Sequence, residues 1–217
     1  MKSLADCRLY TFIDTAYLGG RSAGVSARQL CDGGADLIQI RAKNATTGEV
    51  VRLVEEILPI TQSAGIWCVL NDHAGLARDL GVPCTHLGQE DFFDHGRHHR
   101  IETLWPGAEP SSRPRLGLST HSPQDAQRAV AAGADYLGVG PVFPTDTKPG
   151  RTAVTLSYVR WSANHLMIPW FAIGGINLGN VKQVIDAGAR RICVVSAILN
   201  SADIAATTRA FRRELGE

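Results

Sequence analysis

The sequence predicts a single-domain α/β fold, the (β/α)8 or TIM barrel, and three observations predict it. Eight short apolar or β-branched runs alternate with longer amphipathic stretches along 217 residues, about 27 residues per unit, close to the smallest βα repeat. The runs are almost wholly apolar, as strands covered on both faces must be. A helix-stop pattern also recurs just ahead of a strand, as Gly33-Gly34-Ala35-Asp36, Ala132-Gly133-Ala134-Asp135 and Ala187-Gly188-Ala189-Arg190. Glycine there ends the preceding helix in the left-handed conformation. No GxGxxG follows the first run, so a closed barrel is favoured over an open dinucleotide-type sheet.

In chain order the expected strands are Leu9–Ile13, Asp36–Arg41, Ile66–Leu70, Thr85–Gly88, Arg115–Ser119, Tyr136–Gly140, Ile168–Ile173 and Arg191–Val195. Helical periodicity falls between them at Ala27–Asp32, Gly48–Ser63, His73–Leu80, Ser122–Ala132, Leu156–His165, Asn180–Asp186 and Asp203–Leu215. The fourth helix is poorly patterned. An irregular segment, Asp94–Pro114, stands there with His95, His98, His99, Trp105 and Pro106, and is expected to be a distorted helix and solvated loop.

Composition excludes several functions. Lys plus Arg number 22 against 21 Asp plus Glu, a net charge of +1 that suits neither a nucleic-acid wrapper nor a membrane-surface binder. No apolar run approaches the roughly 20 residues of a spanning helix, and Met1–Asp6 lacks a signal-peptide core. The five cysteines (Cys7, Cys31, Cys68, Cys84, Cys193) form no CxxC pair and suit buried thiols in a reducing cytoplasm. Lysines are confined to Lys2, Lys43, Lys148 and Lys182, which draws attention to any lysine in a suspected site.

A barrel does its chemistry at the C-terminal ends of its strands. The second run ends Gln39-Ile40-Arg41-Ala42-Lys43, placing three polar residues at period two toward the barrel mouth. With no carboxylate between them they make an anion site; the alternative is an Arg paired with a distant acid. The third run ends Asn71-Asp72, and the fourth continues through His86-Leu87-Gly88-Gln89-Glu90-Asp91. Asp72 and Asp91 suit a shared Mg2+, which takes few protein oxygens and completes its shell with water and phosphate, or they cap the helices that begin there. Ser119 ends the fifth run as a candidate substrate hydrogen bond, and His121 is a proton carrier or a cap. A stiff loop, Gly140 to Gly150, carries Thr145, Thr147 and Lys148 over the mouth. The seventh and eighth runs end in Gly174-Gly175 and Val195-Ser196, where barrels commonly cradle a phosphate. Two anion pockets imply two phosphorylated small-molecule substrates, or one molecule phosphorylated at both ends.

Together, Gln39-Ile-Arg41-Ala-Lys43, Asn71-Asp72, His86-Leu-Gly88-Gln89-Glu90-Asp91, Gly140-Pro-Val-Phe-Pro144-Thr145-Asp-Thr147-Lys148 and Ile173-Gly174-Gly175-Ile176 resemble the thiamine phosphate synthase family, from about Arg8 to the C-terminus. The resemblance implies a transferase that joins a pyrimidine diphosphate to a thiazole phosphate and releases diphosphate. It implies Gln39, Arg41, Lys43, Asn71, Ser119 and Lys148 as ligands of the pyrimidine diphosphate, with Arg41, Lys43 and Lys148 acting on the leaving group. Asp72 and Asp91 become magnesium ligands, and Thr145, Thr147, Gly175, Val195 and Ser196 hold the thiazole phosphate. It implies no nucleic-acid or membrane partner, and leaves a homo-oligomer open. His73 departs from the pattern, since an acid often stands there in relatives.

Three rival readings remain. A thiazole tautomerase of related fold would use His121 as its acid and base. A Schiff-base aldolase would use Lys148, poorly placed in a loop beyond Pro144. A non-catalytic binder of thiamine precursors would have no need of the two acids.

Overall fold

The computed structural model describes residues 1–109, 111–145 and 153–216. Eight parallel strands close on themselves in sequence order: β1 (Leu9–Asp14), β2 (Leu37–Arg41), β3 (Trp67–Asn71), β4 (Cys84–Leu87), β5 (Arg115–Thr120), β6 (Tyr136–Val139), β7 (Trp170–Ile173) and β8 (Ile192–Cys193). The predicted barrel is therefore the fold found. Closure is made by β1 on β8, with Leu9 beside Ile192 and Tyr10 beside Cys193.

The helices that cover the barrel are α1 (Ala23–Asp32), α2 (Thr47–Ser63), α3 (Ala74–Asp79), α4 (Pro123–Ala131), α5 (Thr155–His165), α6 (Val181–Asp186), α7 (Ser196–Leu199) and α8 (Ile204–Glu214). Local chemistry sets several starts. Thr46 and Glu49 form a reciprocal capping box at α2; Ser22, Ser122 and Asp203 each accept an N-terminal amide hydrogen at α1, α4 and α8. The Ser22 cap places the start of α1 four residues earlier than its apolar periodicity alone predicts.

The floor of the barrel is pinned by two acids, Asp36, which is buried, and Asp135, which is partly so. Asp36 accepts the backbone N–H groups of Arg8 and Leu9, and pairs with Lys2 and with Arg212 at 2.6 Å. Asp135 accepts the N–H of Leu116 and pairs with Arg113 and Arg115. Each acid follows one of the helix-stop glycines, so the recurrent motif both ends a helix and ties the next strand to the last.

The fourth unit departs from the solvated loop expected of it. A π-helical turn (Glu90–His95) and a 3-10 turn (Ile101–Leu104) replace a regular helix. Phe92, Phe93, Ile101 and Trp105 are buried beneath them. Trp105 donates its indole N–H to the Ala74 carbonyl at 3.0 Å, and the Ile101 N–H bonds the Ala132 carbonyl. Burial of four large apolar side chains contributes several kcal/mol, enough to hold a segment with little helical propensity. Of its histidines, His98 packs on the Phe92 ring and bonds Thr103, while His95 and His99 are exposed.

Inside the barrel, alternate strand residues point to the axis. Tyr10, Tyr136 and Phe171 meet edge to face with ring centroids 5.3–6.1 Å apart and fill the centre. All three are buried, and they close the barrel below its mouth. No helix among the described residues is long and apolar enough to cross a membrane.

Candidate active site

A cavity of about 920 Å³, its open mouth included, lies above this aromatic plug at the C-terminal ends of the strands. Its size is that of a small-molecule site. Gln39, Arg41, Lys43, Asn71, Asp72, Asp91, Ser119, Thr145, Gly175, Val195 and Ser196 all line it. These are the predicted site residues that fall within the described chain, brought to one place from the ends of β2 through β8. Thr147 and Lys148 lie outside the described residues.

On the β2 side the geometry corrects one expectation. The three donors of β2 do not converge without a carboxylate. Arg41 Nη1 donates to Asp14 Oδ2 at 2.5 Å, and Asp14, at the end of β1, is only 1% exposed. The distant acid is thus present, and it is a neighbour: Asp14 and Arg41 stand in register on adjacent parallel strands. Gln39 is also engaged, donating from Nε2 to the Tyr10 hydroxyl, while Lys43 reaches outward to Asp72 at 3.5 Å.

Asp72 and Asp91 do not act as helix caps among the described residues. The residue before α3 is His73, with no side-chain cap, and Asp72 precedes it with φ of 65°, a left-handed conformation unfavourable for a residue with a β-carbon. Asp91 sits in the first turn of the π-helical segment, with His95 Nδ1 3.2 Å from its Oδ1. A β-carbon on Gly88 would fall 2.6 Å from Asp91 Oδ2, so glycine leaves the space that this carboxylate occupies over the cavity wall. Among the described residues no cluster of three or more His, Cys, Asp or Glu forms a metal cage. Two carboxylates that line one cavity are hard oxygen donors of the kind Mg2+ takes, an ion that leaves its other positions to water and phosphate oxygens.

Opposite, on the β5 to β8 side, Ser119, His121, Thr145 and Ser196 line the cavity beside the glycine backbone of Gly174 and Gly175. Gly174 (φ 105°) and Gly175 (φ 63°) carry the chain closely past the loop after β6. A β-carbon on the first would collide with the Pro141 ring, and one on the second would fall 2.6 Å from the Pro144 carbonyl. The pair is therefore demanded by packing as well as by any close approach of phosphate. Ser119 Oγ is held 3.0 Å from His86 Nε2, and Thr145 completes the rim. His121 bonds the Gly140 carbonyl through Nδ1 while Ser122, rather than His121, caps α4 by its side chain.

Sequence reasoning missed Phe12 and Cys193 on the cavity wall, the placing of Asp14 and the Tyr10 hydroxyl below Gln39. Strand parity is the signal that finds them, since Tyr10, Phe12 and Asp14 share one face of β1; ending that strand at Ile13 hid the acid. Burial pushes the Cys193 thiol and the Tyr10 hydroxyl well above their ordinary pKa values, so both stay protonated near neutrality.

The family model described as thiamine monophosphate synthase matches residues 9–198. A thiamine-phosphate synthase of Thermus thermophilus is 44% identical over 184 residues, 84% of either chain. That of Lawsonia intracellularis is 38% identical over 203 residues, covering 93% of this chain and 89% of its own. Among solved structures, a thiamine phosphate pyrophosphorylase from Pyrococcus furiosus superposes with a TM-score of 0.85 at 29% identity, covering 99% of this chain and 98% of that one. With the barrel, the cavity and these likenesses in agreement, the chain belongs to the thiamine monophosphate synthase family, transferases of thiamine biosynthesis.

Proposed function

We propose that this chain joins 4-amino-2-methyl-5-hydroxymethylpyrimidine diphosphate to a thiazole phosphate or carboxythiazole phosphate, giving thiamine monophosphate and diphosphate. The observation that carries the reading is the division of one cavity. Arg41, Lys43, Asn71, Asp72 and Asp91 gather on the β2 to β4 side, and Thr145, Gly175, Val195 and Ser196 on the β6 to β8 side.

Arg41 and Lys43 stabilise the negative charge that accumulates on the departing diphosphate, with Lys148 as a third cation. Asp72 and Asp91 would hold Mg2+, which supplies Lewis-acid stabilisation of that same charge when bound. The bond between the pyrimidine methylene carbon and the diphosphate oxygen breaks. The electron-rich aminopyrimidine carries the resulting benzylic-type cation, and Gln39, Asn71 and Ser119 hold the ring. The thiazole nitrogen, kept close by Thr145, Thr147, Gly175, Val195 and Ser196 on its phosphate, donates its electron pair to form the C–N bond. No protein nucleophile enters, in keeping with the protonated Cys193 thiol. A carboxythiazole loses CO2 as well.

His121 lines the cavity with its ring anchored on the Gly140 carbonyl, which supports tautomerase chemistry as a second reading. One experiment separates the two. Both substrates are incubated with the protein and Mg2+, and thiamine monophosphate and free diphosphate are followed. The synthase reading expects both products in equal amounts; proton exchange on the thiazole without diphosphate release would replace it with the tautomerase.

A further inference from the structure

We propose that Arg21, in the loop after β1, is a positioning residue for the monophosphate side of the site. The inference rests on the proposed assignment of Val195 and Ser196 to the thiazole phosphate. Both line the cavity where β8 passes into α7 (Ser196–Leu199), a helix of a single turn. One turn has almost no internal cooperativity, and its final carbonyls have no partners within the helix. Its geometry must be imposed from outside.

Arg21 imposes it. The half-buried guanidinium donates from Nη2 to the Leu199 carbonyl and from Nη1 to the Ser201 carbonyl at 3.2 Å. It also donates from Nε to Leu18 O at 3.1 Å and from Nη2 to Tyr17 O at 3.3 Å. Two carbonyls on its own loop and two at the end of α7 and just beyond it are thus gripped by one planar group. A planar fork of donors can span four acceptors at once; an ammonium cannot. The positive charge also lies at the helix end where carbonyl dipoles are negative.

Arg21 is not among the residues that line the cavity, so it acts through the backbone of α7. The loop it ends is anchored at its start as well. The Thr15 N–H bonds the Arg41 carbonyl at 3.0 Å, and Asp14 holds the Arg41 side chain. One short stretch of chain, 14–21, therefore braces the diphosphate side at one end and the monophosphate side at the other.

The test compares Arg21→Met, which keeps the aliphatic stem, with Arg21→Lys, which keeps charge without the fork. In Arg21→Met the KM for the thiazole phosphate is expected to rise about tenfold, with the KM for the pyrimidine diphosphate and kcat at saturation within about twofold of the parent. Arg21→Lys is expected to fall between. Amide hydrogen exchange of Arg21→Lys supplies a readout independent of turnover: residues 196–201 should exchange faster while β2 and β3 do not change. Equal KM values for parent and both variants, or a rise of both KM values together, overturns the proposal, as does unchanged exchange at 196–201. Failure of the unaltered protein to make thiamine monophosphate would instead sink the proposed reaction, and the exchange experiment would still judge the brace.

Discussion

The Asp14 carboxylate grips the Arg41 guanidinium at 2.5 Å across the ends of two adjacent strands, both side chains almost withdrawn from water. Among the described residues one nitrogen of the fork is used, and Asp14 spends its other oxygen on the Ala16 N–H at 3.0 Å. The arginine is thereby fixed in direction while further donors remain for a ligand. A buried pair of this kind is costly to break from either side, because the survivor is left charged and unsolvated.

Asp14→Ala is accordingly expected to destabilise the fold by roughly 3–5 kcal/mol in urea titrations, and Arg41→Ala by a similar amount. The double variant should lose about 1 kcal/mol or more less than the sum of the two, the coupling expected of residues in direct contact. Strict additivity would mean that the pair is not what holds Arg41 in place.

For the two acids of the mouth, function rather than stability should respond. Asp72→Ala and Asp91→Ala are each expected to lower kcat/KM by ~10²-fold or more, the scale of removing a principal charge stabiliser in a transition state. Both side chains are substantially exposed, so thermal midpoints should hardly move. Retention of full turnover by either variant would rule out the proposed magnesium role.

Asp36 should make the fold sensitive to acid. Burial would raise its carboxyl, but the N–H groups of Arg8 and Leu9, the Lys2 ammonium and Arg212 outweigh that and hold the pKa below its ordinary 3.8. A group whose folded pKa is depressed stabilises the fold above the unfolded value and loses that contribution as pH falls through the folded one. Asp36→Asn should therefore cost on the order of 1–3 kcal/mol at pH 7, and the gap to the parent should narrow below about pH 4. Chemical denaturation at pH 7, 5 and 3 measures it.

Gly175→Ala combines a left-handed backbone with a β-carbon 2.6 Å from the Pro144 carbonyl. The strain of the backbone alone is about 1–3 kcal/mol. The loop after β6 must also move away, so the variant is expected to melt lower and to bind the thiazole phosphate more weakly than the pyrimidine diphosphate. Calorimetry with each substrate alone distinguishes the two effects.

The barrel was legible in the sequence because strand and helix periods alternate cleanly and the same stop motif recurs before β2, β6 and β8. The site was legible because polar residues stood at strand ends that burial should have made apolar, as at Gln39, Arg41 and Asn71. What escaped was partnership. Asp14 and Arg41 are 27 residues apart, and nothing local to either announces that β1 and β2 bring them together. The fourth unit escaped for another reason: Phe92, Phe93, Ile101 and Trp105 are spaced for neither a helix nor a strand, yet all four are buried. The one-turn helix after β8 was too short for any periodic signal. Arg21, with its four carbonyl partners, has no motif at all.

Tyr10, Tyr136 and Phe171 make the barrel a blind-ended well rather than a tunnel. The depth available to any ligand is thus set by three packed rings, none of which is among the residues that line the cavity itself.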